Sequence, residues 1–214
     1  MNKILRICAL GIGLTSGSAL AAEPTAVIGL GYFTGDADIK LNGTTYDTDL
    51  SGTGFEGRFY VSDNLAVSAG MTDEEADLNI SGTILTLEGD TTSFGAQYVF
   101  GGRVDTYLGE GTEHRAGLEF VDIELKLLGV TTSSDYTNIT YDYSTGFGNG
   151  LSGTFSARID SDELLDDRAF SFELLKSLTE NIGIIGRYSV SKTITDANNS
   201  SESNGFLIGL GLSF

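Results

Sequence analysis

Apolar residues recur at every second position along most of the chain. That is the period of a β-strand, in which successive side chains point to opposite faces. The runs are Ile28, Leu30 and Tyr32; Phe55, Phe59 and Val61; Leu65, Val67, Ala69 and Met71; and Phe94, Ala96, Tyr98 and Phe100. They continue with Val121, Ile123, Leu125 and Leu127; Ile139, Tyr141, Tyr143 and Phe147; and Leu151, Phe155, Ala157 and Ile159. Phe170, Phe172 and Leu174 follow, then Ile184, Tyr188 and Val190, and lastly Phe206, Ile208, Leu210, Leu212 and Phe214. The spacing predicts ten strands, with eight or twelve as the other even counts.

The connections alternate in kind. Ser62-Asp63-Asn64, Gly148-Asn149-Gly150 and Thr179-Glu180-Asn181 read as tight turns, and longer polar links fall near 40–50, 79–91, 129–136, 161–167 and 195–204. Short turns at one end and long loops at the other predict a closed antiparallel up-and-down transmembrane β-barrel. Asn42-Gly43 suits a type I′ hairpin tip. The stretch 101–116, GGRVDTYLGEGTEHRA, sits where a short turn is due. It cannot hold two spanning strands of about 9–11 residues each, and one extra strand would make the count odd, so a long turn or a partly paired excursion is expected.

Residues 1–21 read as a secretory signal peptide, with Lys3 and Arg6 ahead of an apolar stretch and Ala19-Leu20-Ala21 as the cleavage site. The barrel domain is then 22–214. Two of the 12 basic residues lie in the leader, which leaves ten against 30 acidic ones. Such a chain repels nucleic acid and anionic surfaces. The single cysteine also lies in the leader, so thiol and disulfide chemistry are not expected.

Alternation alone does not say whether the apolar face is inside or outside; the opposite face decides. It carries Glu56, Arg58, Asp122, Glu124, Lys126, Asp142, Arg158, Glu173 and Arg187 among Gly, Ser and Thr. Five acids and four bases nearly balance in a chain that is otherwise acidic. Balanced charges at strand centres fit a lumen network in which each ion meets its partner, because an unpaired buried charge costs several kcal/mol. The surplus acid clusters in the inferred loops, at Asp73, Glu74, Glu75 and Asp77 and in DSDELLDD at 160–167.

With these features the chain resembles small Gram-negative outer-membrane barrels, the group of the OmpA transmembrane domain and OmpX. The resemblance is one of architecture over 22–214. It implies that Phe206, Ile208, Leu210, Leu212 and Phe214 act as the C-terminal signal read by the barrel-assembly machinery. It also implies outer-membrane lipid and lipopolysaccharide as surroundings, in a Gram-negative outer membrane.

Catalytic patterns are thin. Gly52, Gly54 and Gly57, and Gly148, Gly150 and Gly153, match G-x-G-x-x-G, but strand patterns follow both, where a dinucleotide site needs a helix. A histidine-based hydrolase would have to use His114, the one histidine, which the topology puts at the periplasmic end. The acidic stretch 160–167 lacks the spacing and glycine of a calcium loop. No enzyme, cofactor or metal site is expected. A narrow, largely filled passage or envelope component is, with a surface module built on acidic loops as the alternative.

Overall fold

The computed structural model describes residues 26–80, 82–105, 107–161 and 167–213. Ten strands follow one another: β1 Ala26–Leu41, β2 Thr44–Ser62, β3 Leu65–Ile80, β4 Thr83–Phe100, β5 Thr112–Leu127, β6 Val130–Gly148, β7 Leu151–Asp160, β8 Asp167–Ser177, β9 Ile182–Asp196 and β10 Asn199–Ser213. Each pairs antiparallel with its neighbours in sequence, and β1 pairs with β10 from Val27↔Ser213 to Lys40↔Ser200, so the sheet closes. Closure gives every strand two hydrogen-bonded sides within the barrel wall, which a hydrocarbon environment demands.

The predicted short turns at 62–64, 148–150 and 179–181 all lie at one end, where the strands are joined by 63–64, 101–111, 149–150 and 178–181. The predicted long loops at the other end are not loops. Most of 40–50, 79–91, 129–136 and 195–204 is strand, broken only at the hairpin tips 42–43, 81–82, 128–129 and 197–198. Asn42 (φ 50°) and Gly43 (φ 84°) make the left-handed pair that a type I′ tip requires. Strands of 15–19 residues result, except β7 with 10 and β8 with 11. A membrane needs only about 9–11 residues per strand. The surplus forms a β-tower on one rim, to which β7 and β8, the shortest of the ten, contribute least. The leader 1–21, Phe214 and most of the acidic stretch, 162–166, lie outside the described residues.

What makes the tower is a reversal of polarity along the barrel axis. On β3 the outward residues run Leu65, Val67, Ala69 and Met71, then turn acidic at Asp73, Glu75 and Asp77, while the inward set becomes apolar at Ala76 and Leu78. β5 reverses in the same way: Leu118 and Phe120 face out below, then Asp122 and Glu124, while Glu113, Arg115 and Glu119 give way inside to Val121, Ile123 and Leu125. A lipid-facing wall must be apolar outside; a water-facing wall must bury its apolar side instead. Above the apolar belt the inner faces form one cluster of Ala37, Ile39, Leu50, Ala76, Leu78, Leu87, Val121, Ile123 and Leu125. The outer faces there place like charges directly opposite one another, Asp36 against Asp49, Asp38 against Asp47, Asp73 against Asp90 and Glu75 against Glu88.

Asp122, Glu124 and Lys126 are therefore corrected: they are not lumen charges but lie on the outer face of the tower. Lys126 Nζ meets Asp90 at 3.3 Å and Glu124 at 3.4 Å there. The expectation carried one phase through β5 and missed the reversal.

The boundary is testable. Phe94→Lys, within the apolar belt, should destabilise the folded barrel by about 2–4 kcal/mol, whereas Asp90→Lys, four residues higher on the same face, should be tolerated. Urea unfolding in lipid vesicles compares them.

Candidate functional site

The barrel's middle is filled by ions. Asp142 of β6, fully buried, accepts hydrogen bonds from Gln97 Nε2 (2.9 Å), Arg115 Nε (3.4 Å) and Arg158 Nη1 (3.3 Å). The Arg58 guanidinium of β2 reaches it across the bore at 3.8 Å. Arg115 also pairs with Glu113, which accepts a bond from Tyr60 Oη at 3.0 Å. Arg158 Nε lies 3.2 Å from Glu119. Arg187 binds Glu173 on the next strand and approaches Glu56 of β2 at 3.9 Å. One carboxylate with three guanidinium neighbours, two of which also meet a second acid (Arg115 with Glu113, Arg158 with Glu119), gathers charges that could not be buried singly. Planar guanidinium groups with several donors suit such multiple pairing.

Six of the nine predicted lumen residues, Glu56, Arg58, Asp142, Arg158, Glu173 and Arg187, belong to this network. The sequence reading missed Glu113, Arg115 and Glu119. Their signal was present in the adjacent apolar pair Phe120-Val121, flanked by Glu119 and Asp122. Two neighbouring apolar residues cannot share a face, so the phase had to change there. Beside the ions, Phe33, Leu175, Ile185 and Leu207 form an apolar patch on the inner wall of β1, β8, β9 and β10. Phe33 fills the space above Gly52, where an added Cβ would come within 2.6 Å of its ring.

The barrel is also covered at the short-turn end. Residues 101–111 make the expected partly paired excursion, with a bridge between Asp105 and Glu110, while 112–116 belong to β5. Arg103 lies 3.7 Å over the Tyr60 ring of β2, and Val104 is buried. From the far side of the segment, Gly111, Gly109 and Leu108 carbonyls accept bonds from Gly146 and Gly148 at the end of β6 and from Gly150 of the β6–β7 turn. Contacts with both β2 and the β6–β7 turn carry the segment across the mouth. At Gly146 an added Cβ would stand 2.2 Å from the Gly109 backbone, so only glycine permits this approach.

His114 is on the outer wall of β5, stacked on Phe100 (centroids 5.4 Å), near Tyr143 (4.9 Å) and with Nδ1 2.8 Å from Tyr141 Oη. It joins an aromatic rim with Tyr98, as transmembrane barrels carry at their interfaces. Gly52, Gly54 and Gly57 lie within β2, and Gly148, Gly150 and Gly153 at the β6–β7 turn, with no helix after either. Among the described residues, no three His, Cys, Asp or Glu come together as a metal site. On β10, Phe206, Ile208, Leu210 and Leu212 face outward.

These features define a transmembrane β-barrel of the outer-membrane kind with an occupied lumen. No protein-family model and no curated protein matches the chain. Among solved structures it is similar to Ail, the attachment invasion locus protein of Yersinia pestis (15% identity, 90% of this chain and 100% of that one, TM-score 0.42). It is also similar to the outer membrane protein OprG from Pseudomonas aeruginosa (12%, 92% and 99%, TM-score 0.40). The transport unit of the autotransporter AIDA-I from Escherichia coli is a third (11%, 100% and 96%, TM-score 0.48).

Removing the shared carboxylate should be severe. Asp142→Leu leaves guanidinium charges without their common partner and should cost about 3–5 kcal/mol, read as a lower temperature for loss of the folded band on unboiled gels. Glu74 should behave oppositely. It lies just above the last lipid-facing residue of β3, is 5% exposed, and has no ion-pair partner among the described residues. Burial, with Asp73 beside it, holds its carboxyl well above the usual carboxylate range. A group with a raised folded value binds its proton more tightly in the native state, so its stabilising effect fades as pH rises above about 4.3. Glu74→Gln should therefore gain about 1–3 kcal/mol over the native protein at high pH and lose that advantage below pH 4; stability against pH for the two proteins checks this.

Proposed function

We propose that the chain is a non-conducting component of a Gram-negative outer membrane, a barrel whose lumen stays blocked while it holds an acidic tower outside the cell. The observation that carries this is Asp142, bound from β4, β5 and β7 and approached from β2. A water-filled channel would leave such ions hydrated at the wall rather than joined across the bore. The apolar tower interior and the 101–111 segment support the same reading at the two ends. Ten strands also enclose little space, since eight are filled by side chains and wide aqueous channels appear at about 16–18.

In this reading, outer-membrane lipid and lipopolysaccharide surround the apolar belt, and residues 1–21 direct export. The outward set of β10, with Phe214, is the segment offered to the barrel-assembly machinery. In this reading the protein is not an enzyme, and His114 is part of the aromatic rim, with Tyr141 Oη at its Nδ1. A second reading, a surface interaction module, is favoured by the acidic outer face of the tower.

Planar bilayers test the first reading. The native barrel should give no reproducible conductance steps, and a variant with Arg58, Arg115 and Arg158 all changed to Ser should give steps if it inserts. Large, regular steps from the native protein would overturn the closed-lumen reading.

A further inference from the structure

The turn that joins β5 to β6 carries an unexpected residue for its shape. Leu127 pairs with Val130, and between them Leu128 and Gly129 both have positive φ, 52° and 78°. That is the type I′ geometry, whose first position suits Asn, Asp or Gly. Two other turns follow the rule, with Asn42-Gly43 and Asn149-Gly150 in the same left-handed pairing. At Leu128 the Cβ crowds the backbone, and the side chain has no polar group to offset this. Burial does not compensate either, since Leu128 is 76% exposed. A strained backbone position held by an exposed leucine points to a use outside the fold.

Leu128 has company. Ile84 of β4 is 66% exposed and Val130 of β6 is 65% exposed. Among the described residues these three are the only large apolar side chains so exposed above the lipid-facing belt. Leu85 and Leu127 beneath them pack on the apolar cluster of the tower, which gives the three a firm base. Ile84 and Val130 stand on strands two apart, a separation of about 9–10 Å, and the Leu128 turn lies between. Below them the outer faces of β3, β4 and β5 carry Glu75, Asp77, Glu88, Asp90, Asp122 and Glu124. Lys126 is the one base on those faces, and it is engaged by Asp90 and Glu124. Residues 162–166 cannot cover the tip. They leave Ser161 and return to Asp167, so they extend at most about 11 Å from their ends. Val130 lies about 23 Å up β6 from Thr137, where Ser161 is bonded.

We propose that Ile84, Leu128 and Val130 form a docking ridge for a basic amphipathic helix of a partner protein. An apolar centre with a charged rim is the anatomy of a protein interface, in which a few apolar anchors hold and the rim selects. The spacing fits a helix laid across the two tips: seven residues rise about 10.5 Å, so anchors at i, i+3 or i+4, and i+7 meet Ile84, Leu128 and Val130 in turn. Lys and Arg on the flanks of that helix then face the carboxylates below, which steer it in and repel acidic competitors. A lipid surface fits less well, because the acidic wall repels anionic headgroups and the ridge has no Trp, Lys or Arg to anchor at an interface. The proposal deepens the surface-module reading and rests on it. It needs no blocked lumen, so its failure leaves the bilayer result untouched.

The test uses the full, folded barrel in phosphatidylcholine nanodiscs, with empty discs as the blank. The probe is a helical peptide of about 18 residues, five turns, with Leu on one face and Lys elsewhere. One control has the same composition with its leucines scattered, and another has Glu in place of Lys. Binding is followed by anisotropy and by the methyl resonances of Ile84, Leu128 and Val130. The patterned Lys peptide should bind above the blank and shift those three methyls, and both controls should bind at least about tenfold more weakly. Leu128→Asn restores the residue that the turn prefers, so its folded band should survive heating at least as well as that of the native barrel. The same variant should weaken peptide binding about tenfold. Loss of thermal stability in Leu128→Asn would show that the leucine serves the fold, and would overturn the proposal. So would binding that Leu128→Asn leaves unchanged, or binding no greater than to empty discs, which is partition into lipid. Equal binding by the scattered peptide would also overturn it while leaving the surface-module reading in place, since the acidic wall would then act alone. No binding by either basic peptide would count against both.

Discussion

The molecule depends on the seam between β1 and β10. In hydrocarbon an unpaired peptide group has no water to turn to, so a sheet that crosses a membrane must close on itself. Fourteen residue pairs make that seam, Val27↔Ser213 to Lys40↔Ser200. Three of its rungs, Gly29↔Gly211, Gly31↔Gly209 and Gly35↔Gly205, bring glycines face to face, and a Cβ added at Gly35 would stand 2.1 Å from the Asn204 carbonyl. Once the ring is closed, the side chains have only two places to go. Everything else in the structure is a consequence of what each place contains at each height.

At the height of the apolar belt the outside is lipid, so the polar half of each strand is forced into a narrow bore. Ten strands cannot hold nine charged residues there as hydrated ions. They can hold them as mutual ligands, which is what Asp142 and its arginines become. Above the belt the outside is water, and the same alternation turns inside out: carboxylates take the outer face and aliphatic residues close the bore. A single chain thus contains two barrels of opposite polarity stacked on one set of strands.

That stacking explains what the sequence disclosed. Strand number, the closed antiparallel order, the Asn42-Gly43 tip and the three tight turns follow from local alternation and turn chemistry, and all were legible. The tower was not, because segments such as TTYDTDL at 44–50 are rich in the residues of loops, yet keep strict alternation with Tyr46, Thr48 and Leu50 inside. Composition was read where phase should have been. The same lapse placed Asp122, Glu124 and Lys126 in the lumen and overlooked Arg115. The crossing of the mouth by 101–111 was beyond sequence reasoning, since it depends on bonds to a turn almost forty residues away.

The facing carboxylates of the tower give its two halves different dependence on the medium. Asp38 opposite Asp47 and Asp73 opposite Asp90 repel across water, where mobile ions screen over about 8–10 Å at physiological salt. The arginine network has no mobile ions between its members and is nearly insensitive to them. Dilution of the surrounding electrolyte therefore loads the upper wall with repulsion while the buried middle holds its shape. The barrel is a rigid mount under a rim whose tightness follows the ionic strength outside.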